Sequence, residues 1–163
     1  MRNHVSVTLF AFFCILGLSN TSMAQSALLF DSNGMKHFHR AYYELVPQHE
    51  TENAAIEFQL AEQAFSRAIQ ERPLWIEPYL HLGRCLFVQK KYTAAANIFQ
   101  KAAMLAPERK EIQLQVASSM EMAGDYQSAL KVLKALRNQE KNAKATTVLD
   151  ELISKMERRA GRK

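Results

Sequence analysis

A spaced repetition of residue types is the strongest constraint that this sequence places on its fold. Ala61, Phe65, Ala68 and Pro73 each have a counterpart of the same type further along the chain, always at the same offset. The counterparts are Ala95, Phe99, Ala102 and Pro107. A period of roughly 20–50 residues is typical of repeat architectures, in which each unit stacks on its neighbours because it cannot bury its apolar face alone.

The best-preserved copy shows which family this repeat resembles. It reads Tyr79, Leu82, Gly83, Leu86, Tyr92, Ala95, Phe99, Ala102 and Pro107. This pattern resembles the tetratricopeptide repeat, which places an aromatic residue, Leu-Gly, Tyr, Ala, Phe and Pro at fixed spacings over about 34 residues. A third copy is marked by Val116, Ala117, Met120, Tyr126, Ala129 and Leu133. Pro47 interrupts the first half of the first copy, so residues 25–50 form either a true first helix pair or an irregular lead-in.

The resemblance implies an all-α fold, a right-handed superhelical solenoid of antiparallel helix pairs closed by a C-terminal capping helix. Helical spacing of apolar residues predicts helices at 35–45, 52–72, 74–88, 93–105, 109–122, 127–139 and 143–159. Gly124 and Asp125 should form the turn of the third pair, with Asp125 capping the next helix. The apolar face of the last helix should consist of Val148, Leu149, Leu152, Ile153 and Met156.

The N-terminal segment is typical of an export signal. Arg2 is followed by an uncharged apolar run from Val5 to Leu18 and by small residues that end at Ala24. This is the layout of a secretory signal peptide, and the run is short for a membrane-spanning helix. We therefore predict cleavage after Ala24 and an exported, periplasmic or secreted, location. The alternative is an uncleaved anchor.

The predicted organisation has four parts: a signal peptide at 1–24, a lead-in helix at 25–50, the repeats at 51–141, and a capping helix with a basic tail at 142–163. Cys85 alone remains after cleavage, so no internal disulfide can form, and we expect it to be a small buried apolar residue. We expect a monomer rather than a homo-oligomer.

The first helix of each pair lines the concave face in this family, and that face is the predicted binding site. By resemblance, the inward positions are Glu77, Leu80, His81, Arg84, Phe87, Val88, Glu111, Leu114, Gln115, Ser118, Glu121 and Met122. Apolar residues mixed with a few charges suit a peptide or helix lying in a groove. The alternative is that several of them only pack against the next helix.

One form of peptide recognition is disfavoured by the residues at these positions. Some tetratricopeptide domains hold a terminal carboxylate with Lys, Asn and Arg. Here the matching positions hold Leu80, Arg84, Glu111 and Gln115. We therefore do not expect binding of chaperone tails of that kind.

The basic C-terminal fifth is a second candidate surface, because residues 131–163 carry 10 basic and 4 acidic side chains. The cations near the end are Lys155, Arg158, Arg159, Arg162 and Lys163. They suit weak contact with an anionic membrane or an acidic partner. The interpretation that we favour is that they stabilise a helix C-terminus and keep the protein soluble.

Other functional classes find little support. His37, His39 and His49 lack ligands at metal-binding spacing, so we predict no metal and no cofactor. No phosphate loop, nucleophile elbow, zinc-protease motif or nucleic-acid motif occurs. We therefore predict a scaffold or adaptor in an envelope complex rather than an enzyme. The alternative is a periplasmic assembly chaperone, like the repeat domains of cytochrome c maturation or those of pilus and secretion assembly.

Overall fold

The computed structural model describes the backbone of residues 4–161 and the side chains of residues 22–161. Across that backbone the chain forms helices and turns without a β-strand. The helices are α1 (His4–His39), continued by a π-helical segment (Arg40–Leu45), α2 (Thr51–Glu71), α3 (Ile76–Val88), α4 (Tyr92–Leu105), α5 (Lys110–Met122), α6 (Tyr126–Gln139) and α7 (Ala143–Ala160). Helices α2 to α7 begin and end within two residues of the predicted bounds.

The predicted start of the first helix, Met35, is wrong. Helix α1 begins at His4, and the residues just before Met35 already pack on α2. Ala27 is fully buried and Asp31 is 8% exposed. Residues 26–34 are therefore helical because α2 covers them.

The chain forms two compact units, Met1–Trp75 and Ile76–Lys163. In the first unit α1 and α2 are antiparallel. The hydroxyl of Ser26 donates to Glu71 Oε2 at 3.2 Å, and further along α1 the His37 Nδ1 atom lies 2.6 Å from Glu57 Oε2. Residues 25–45 thus supply the first helix of a pair whose second helix is α2.

A glycine facing a phenylalanine sets how closely the helices of a pair approach. A Cβ atom on Gly34 would lie 2.6 Å from Phe65 Cε1, and one on Gly83 would lie 2.5 Å from Phe99 Cε1. Both distances are too short for carbon atoms, so only glycine fits at these positions without a shift of the ring. The first pair therefore packs like the second, with Gly34 in the role of Gly83.

The two pairs differ in the length of chain between these contact residues. The segment from Gly34 to Phe65 is almost twice as long as the segment from Gly83 to Phe99. The additional residues lengthen both helices of the first pair at the end where they turn. Pro47 lies just after the π-helical segment, where a missing amide hydrogen does no harm to a helix.

The turns inside the helix pairs use left-handed backbone conformations. His49, Lys90 and Gly124 have φ values of 62°, 63° and 80°. Lys90 and Gly124 are equivalent positions of successive repeats, and glycine adopts this conformation at less cost than lysine. After Gly124, the Asp125 carboxylate accepts a hydrogen bond from the Ser128 amide at 3.1 Å, so the predicted helix cap is confirmed.

Helix α7 covers the end of the second unit. Leu149 and Met156 are buried in a cluster with Ala117, Ala129, Leu130, Leu133 and Leu136. Leu152 and Ile153 pack against this cluster, but Val148 is 55% exposed. The prediction is therefore confirmed for four of the five apolar residues of α7. It is wrong for Val148, whose position on the helix turns the side chain away from the repeat.

Ion pairs hold the ends of α6 and α7. Arg137 Nε lies 3.0 Å from Asp150 Oδ1, and Lys110 Nζ lies 2.9 Å from Glu140 Oε2. The other Glu140 oxygen accepts the backbone N–H groups of Lys141 and Asn142, each at 2.8 Å. The Lys110 hydrogen bond, followed by that from Asn142, lowers the pKa of Glu140 from 4.5 to about 2.

The Glu140 carboxylate should make the stability of the second unit depend on pH in acid. Because the pKa of Glu140 is lower in the folded protein than in the unfolded chain, this carboxylate stabilises the fold. The stabilisation is fully present above the unfolded pKa of 4.5 and is lost as the pH falls toward 2. Glu140→Gln should therefore lower the thermal midpoint at neutral pH, and the difference from the parent protein should disappear across this window. Glu151→Gln, at an exposed α7 position, is the control. A difference that persisted unchanged at pH 2 would contradict the assignment.

Candidate functional site

A cleft opens on the second unit between the first helices of its two helix pairs. It has a volume of about 230 Å³. Its lining residues are Arg84, Phe87 and Val88 of α3, Phe99 of α4, and Gln115, Ser118 and Ser119 of α5. Five of these seven are predicted groove residues, so the structure brings together Arg84, Phe87, Val88, Gln115 and Ser118.

The repeat explains why these side chains meet. Arg84, Phe87 and Val88 are spaced i, i+3, i+4 on α3, which places them on one face of the helix. Ser118 is the repeat equivalent of Arg84, one period further along the chain, and lies on the same face of α5. Stacking successive pairs therefore aligns the two faces on either side of the cleft.

Phe99 and Ser119 line the cleft although they were not among the predicted site residues. Phe99 is 2% exposed and was expected only to pack between helices, but its ring also borders the cleft. Ser119 is fully buried, and its hydroxyl donates to the Gln115 carbonyl oxygen at 2.7 Å. A helical serine can donate to the carbonyl oxygen four residues earlier, and this spacing could have indicated that Ser119 lies on the same face of α5 as Gln115.

Seven predicted groove residues do not line this cleft, and two of them are wrong as groove residues. Leu80 is 7% exposed and belongs to the buried core, because its position on α3 faces neighbouring apolar groups. Glu121 pairs with Lys155 Nζ at 3.3 Å and with Arg159, so it holds α7 in place. His81 is half-buried, while Leu114 and Met122 are 38% and 49% exposed.

The remaining two predicted residues, Glu77 and Glu111, form ion pairs with the same cation. Arg109 Nη1 lies 3.8 Å from Glu77 Oε1, and Arg109 Nε lies 2.7 Å from Glu111 Oε1. The hydrogen bond from Arg109 lowers the pKa of Glu111, and its counterpart raises the pKa of Arg109. One cation thus serves two exposed acids, with the shorter contact to Glu111.

The histidines of the first unit take part in local contacts. His37 shares the Glu57 carboxylate with Arg40, whose Nη1 atom lies 3.0 Å from Glu57 Oε1. The His39 ring lies edge-on to Tyr43, with centroids 5.4 Å apart. Among the residues whose side chains are described, no group of three or more His, Cys, Asp or Glu residues is placed to hold a metal ion.

Part of the basic C-terminal surface is occupied by ion pairs. Lys155 and Arg159 both contact the Glu121 carboxylate, while Arg162 and Lys163 lie outside the described residues. Cys85 is fully buried, as predicted. None of the helices in the described part of the chain combines the length and apolar character needed to cross a membrane.

Comparison with known proteins supports the repeat assignment. Residues 86–152 match the family model for the tetratricopeptide repeat. The chain is 36% identical over 59 residues to the Tetratricopeptide repeat protein 30 homologs of Drosophila melanogaster and Drosophila pseudoobscura pseudoobscura. The aligned segment is 36% of this chain and 9% of each relative, so the chain spans only a small part of the relatives it matches.

Solved structures with the same fold cover most of the chain. The TPR2B domain of yeast Sti1, in a complex with pHsp70, gives a TM-score of 0.59 at 18% identity over 82% of this chain and 98% of that domain. The TPR2AB domain of yeast Sti1, in a complex with pHSP90, gives a TM-score of 0.61 at 15% identity. That match covers 96% of this chain and 57% of the other. The TPR domain of Arabidopsis OM64 gives a TM-score of 0.57 at 14% identity, and the match covers 82% of this chain and 98% of that domain.

The chain therefore has the all-α fold of tetratricopeptide domains, built from antiparallel helix pairs with α7 as the last helix, and its residues 86–152 match the repeat model itself. The tetratricopeptide fold is a family of modules for protein–protein interaction.

Proposed function

We propose that this protein is a scaffold or adaptor of an exported complex and that it holds a segment of a partner protein in the cleft of its second unit. The observation that supports this most directly is the cleft itself, in which apolar walls lie beside the exposed Arg84 side chain and the Gln115 amide. Apolar surface gives affinity, and a few placed polar groups give orientation. Two of the solved neighbours are complexes, with pHsp70 and with pHSP90, which supports a segment of another protein as the occupant.

The proposed occupant is an internal segment of the partner rather than its C-terminal end. Arg84 is the one cation at the four matching positions, because Leu80 is buried, Glu111 is an acid paired with Arg109 and Gln115 is uncharged, so the Lys, Asn and Arg set that holds a terminal carboxylate is absent. The partner should therefore be recognised through side chains and backbone away from its terminus.

Site-specific photo-crosslinking tests this function. A photoreactive residue at Phe87, at the cleft, should give a discrete adduct with one or two exported proteins in the native host. The same residue at Lys131, on the exposed face of α6, is the matched control and should not give these adducts. Adducts from Lys131 or Arg158 in place of Phe87 would contradict the proposal. A scaffold should retain the adduct partner in the finished complex, whereas an assembly chaperone should release it.

Export is the second part of the proposal. Support comes from the burial pattern of α1, because in its described part the first buried side chain is Ala27, shortly after the predicted cleavage site. Removing residues 1–24 would leave Ala27, Asp31 and Gly34 to pack on α2.

The mature protein from its native host should therefore begin at Gln25. Intact-mass measurement checks this, and replacing Ala24 with a bulky residue, Ala24→Leu, should block processing because signal peptidases read small residues there. A native protein that still carries residues 1–24 would overturn the cleavage proposal.

A further inference from the structure

The Gln115 side chain, which lines the cleft, carries a buried polar atom without a partner. Its Oε1 atom is buried and accepts no hydrogen bond within the described structure. Buried polar atoms in folded proteins are nearly always paired, and an unpaired one costs free energy that a donor could recover. Because the cleft borders this side chain, the missing donor can come from a bound molecule.

A polypeptide backbone is the ligand that matches this amide best. A primary amide has one acceptor and two donors, and a peptide unit offers one N–H and one C=O. The match holds whichever way the amide oxygen and nitrogen are oriented. An entirely apolar ligand would fill the cleft but would leave Gln115 Oε1 unpaired.

The Arg84 side chain adds a positive charge at the same cleft. It is exposed and makes no ion pair with any residue that the structure describes. Arg109, Arg137 and Arg159 of the second unit, in contrast, each form an ion pair, with Glu111, Asp150 and Glu121. Neither Glu77 nor Glu121 lines the cleft, and Arg84 is the one charged residue among the described residues that line it. The cleft is therefore electrostatically complementary to a carboxylate.

The walls of the cleft fit one apolar side chain. Phe87, Val88 and Phe99 supply apolar surface around a volume of about 230 Å³. A cavity of about 150 Å³ holds a benzene molecule. A leucine- or phenylalanine-sized side chain therefore fits, with room left for the backbone that carries it.

We infer that the cleft recognises an extended segment in which an apolar residue lies next to an acidic one. The apolar side chain enters between Phe87, Val88 and Phe99, the acidic side chain pairs with Arg84, and the partner's backbone hydrogen-bonds to the Gln115 amide. This inference rests on the proposed function and names the chemistry of the partner.

Selection from a display library of random linear peptides on the purified full chain tests the inference. Enriched peptides should carry Asp or Glu beside a large apolar residue. Arg84→Glu should weaken their binding at least about tenfold, which is the effect of losing one well-placed charge pair. When the Arg84→Glu variant is used for the selection, the enriched peptides should carry Lys or Arg in place of the acidic residue. Lys131→Glu makes the same charge change at an exposed α6 position outside the cleft and should leave binding unchanged.

A second variant separates recognition from folding. Gln115→Met keeps a side chain of similar length and removes the unpaired amide, so the thermal midpoint of the free protein should not fall. Peptide affinity should nevertheless drop, because the backbone loses its partner. Affinity unchanged in Gln115→Met would overturn the role of the amide.

The remaining outcomes separate the inference from the proposed function. Peptides enriched without an acidic preference, and bound equally by Arg84→Glu, would overturn the inference and leave the adaptor function standing. No enriched peptide, together with no crosslink from Phe87, would overturn both.

Discussion

Replacing Phe99 with alanine is expected to destabilise the second unit by about 3–5 kcal/mol, the usual cost of removing a buried phenylalanine side chain. Phe99 is 2% exposed, and its ring lies where Gly83 leaves room for it. Without the ring, α3 and α4 face each other across a cavity. Thermal unfolding followed by circular dichroism should show a midpoint lowered by well over ten degrees, at roughly 4–8 °C per kcal/mol for a unit of this size.

The control for Phe99→Ala lies in the same helix. Met104 is 75% exposed, so Met104→Ala should leave the midpoint within a degree or two of the parent protein, as surface substitutions usually do. Equal effects of the two substitutions would mean that the assigned stacking register is wrong. Because Phe99 also borders the cleft, the same variant should lose peptide binding even at temperatures where it remains folded.

Replacing Gly34 with leucine is expected to destabilise the first unit by about 1–3 kcal/mol, the range typical of overpacking. A Cβ atom at this position would lie 2.6 Å from Phe65 Cε1, so the α1 and α2 helices must move apart or the ring must leave its position. Leucine is a good helix former, and helix propensity alone would make this substitution stabilising. A loss of stability in Gly34→Leu would therefore show that the close contact between the helices outweighs helix propensity.

A double-mutant cycle isolates the contact between residues 34 and 65. Phe65→Ala alone should be destabilising because the ring is fully buried, but in the Gly34→Leu background it should cost less, since the leucine fills part of the vacated space. Ser32→Leu introduces the same side chain at an exposed α1 position and should be nearly neutral. If Gly34→Leu proved as mild as Ser32→Leu, residues 25–45 would not form the first helix of a pair.

The repeat made most of the second unit predictable. A constant offset between copies puts equivalent positions on equivalent helix faces, so Arg84 and Ser118 could be placed at one cleft without a structure. Helix bounds were predictable for the same reason, helped by Pro73 and Pro107 after the second helices and by Gly124 in a turn. The buried character of Cys85 also followed from its place on an apolar helix face.

The first helix of the first pair could not be predicted, because the offset fails there. Counting one repeat period back from Gly83 leads to His49, which lies in a turn, while the equivalent glycine is Gly34. Contacts between residues far apart in the sequence could not be predicted either. Glu121 meets Arg159 on the last helix, and local spacing does not reveal that a groove position will serve the capping helix. Val148 fits the apolar spacing of α7 but is exposed, since spacing does not tell how wide a face the neighbour covers.

The separation between Gly34 and Phe65 has a consequence for how repeats of this kind can change length. The contact that fixes helix packing lies far from the turn in the first pair and close to it in the second, yet the glycine–phenylalanine geometry is the same. Residues inserted equally on both sides of a turn therefore lengthen a pair without altering the end that bears this contact. Insertions at the turns should be tolerated by such proteins, whereas a single residue inserted between the contact and the opposite helix end would rotate every following side chain by about 100° and expose its buried face.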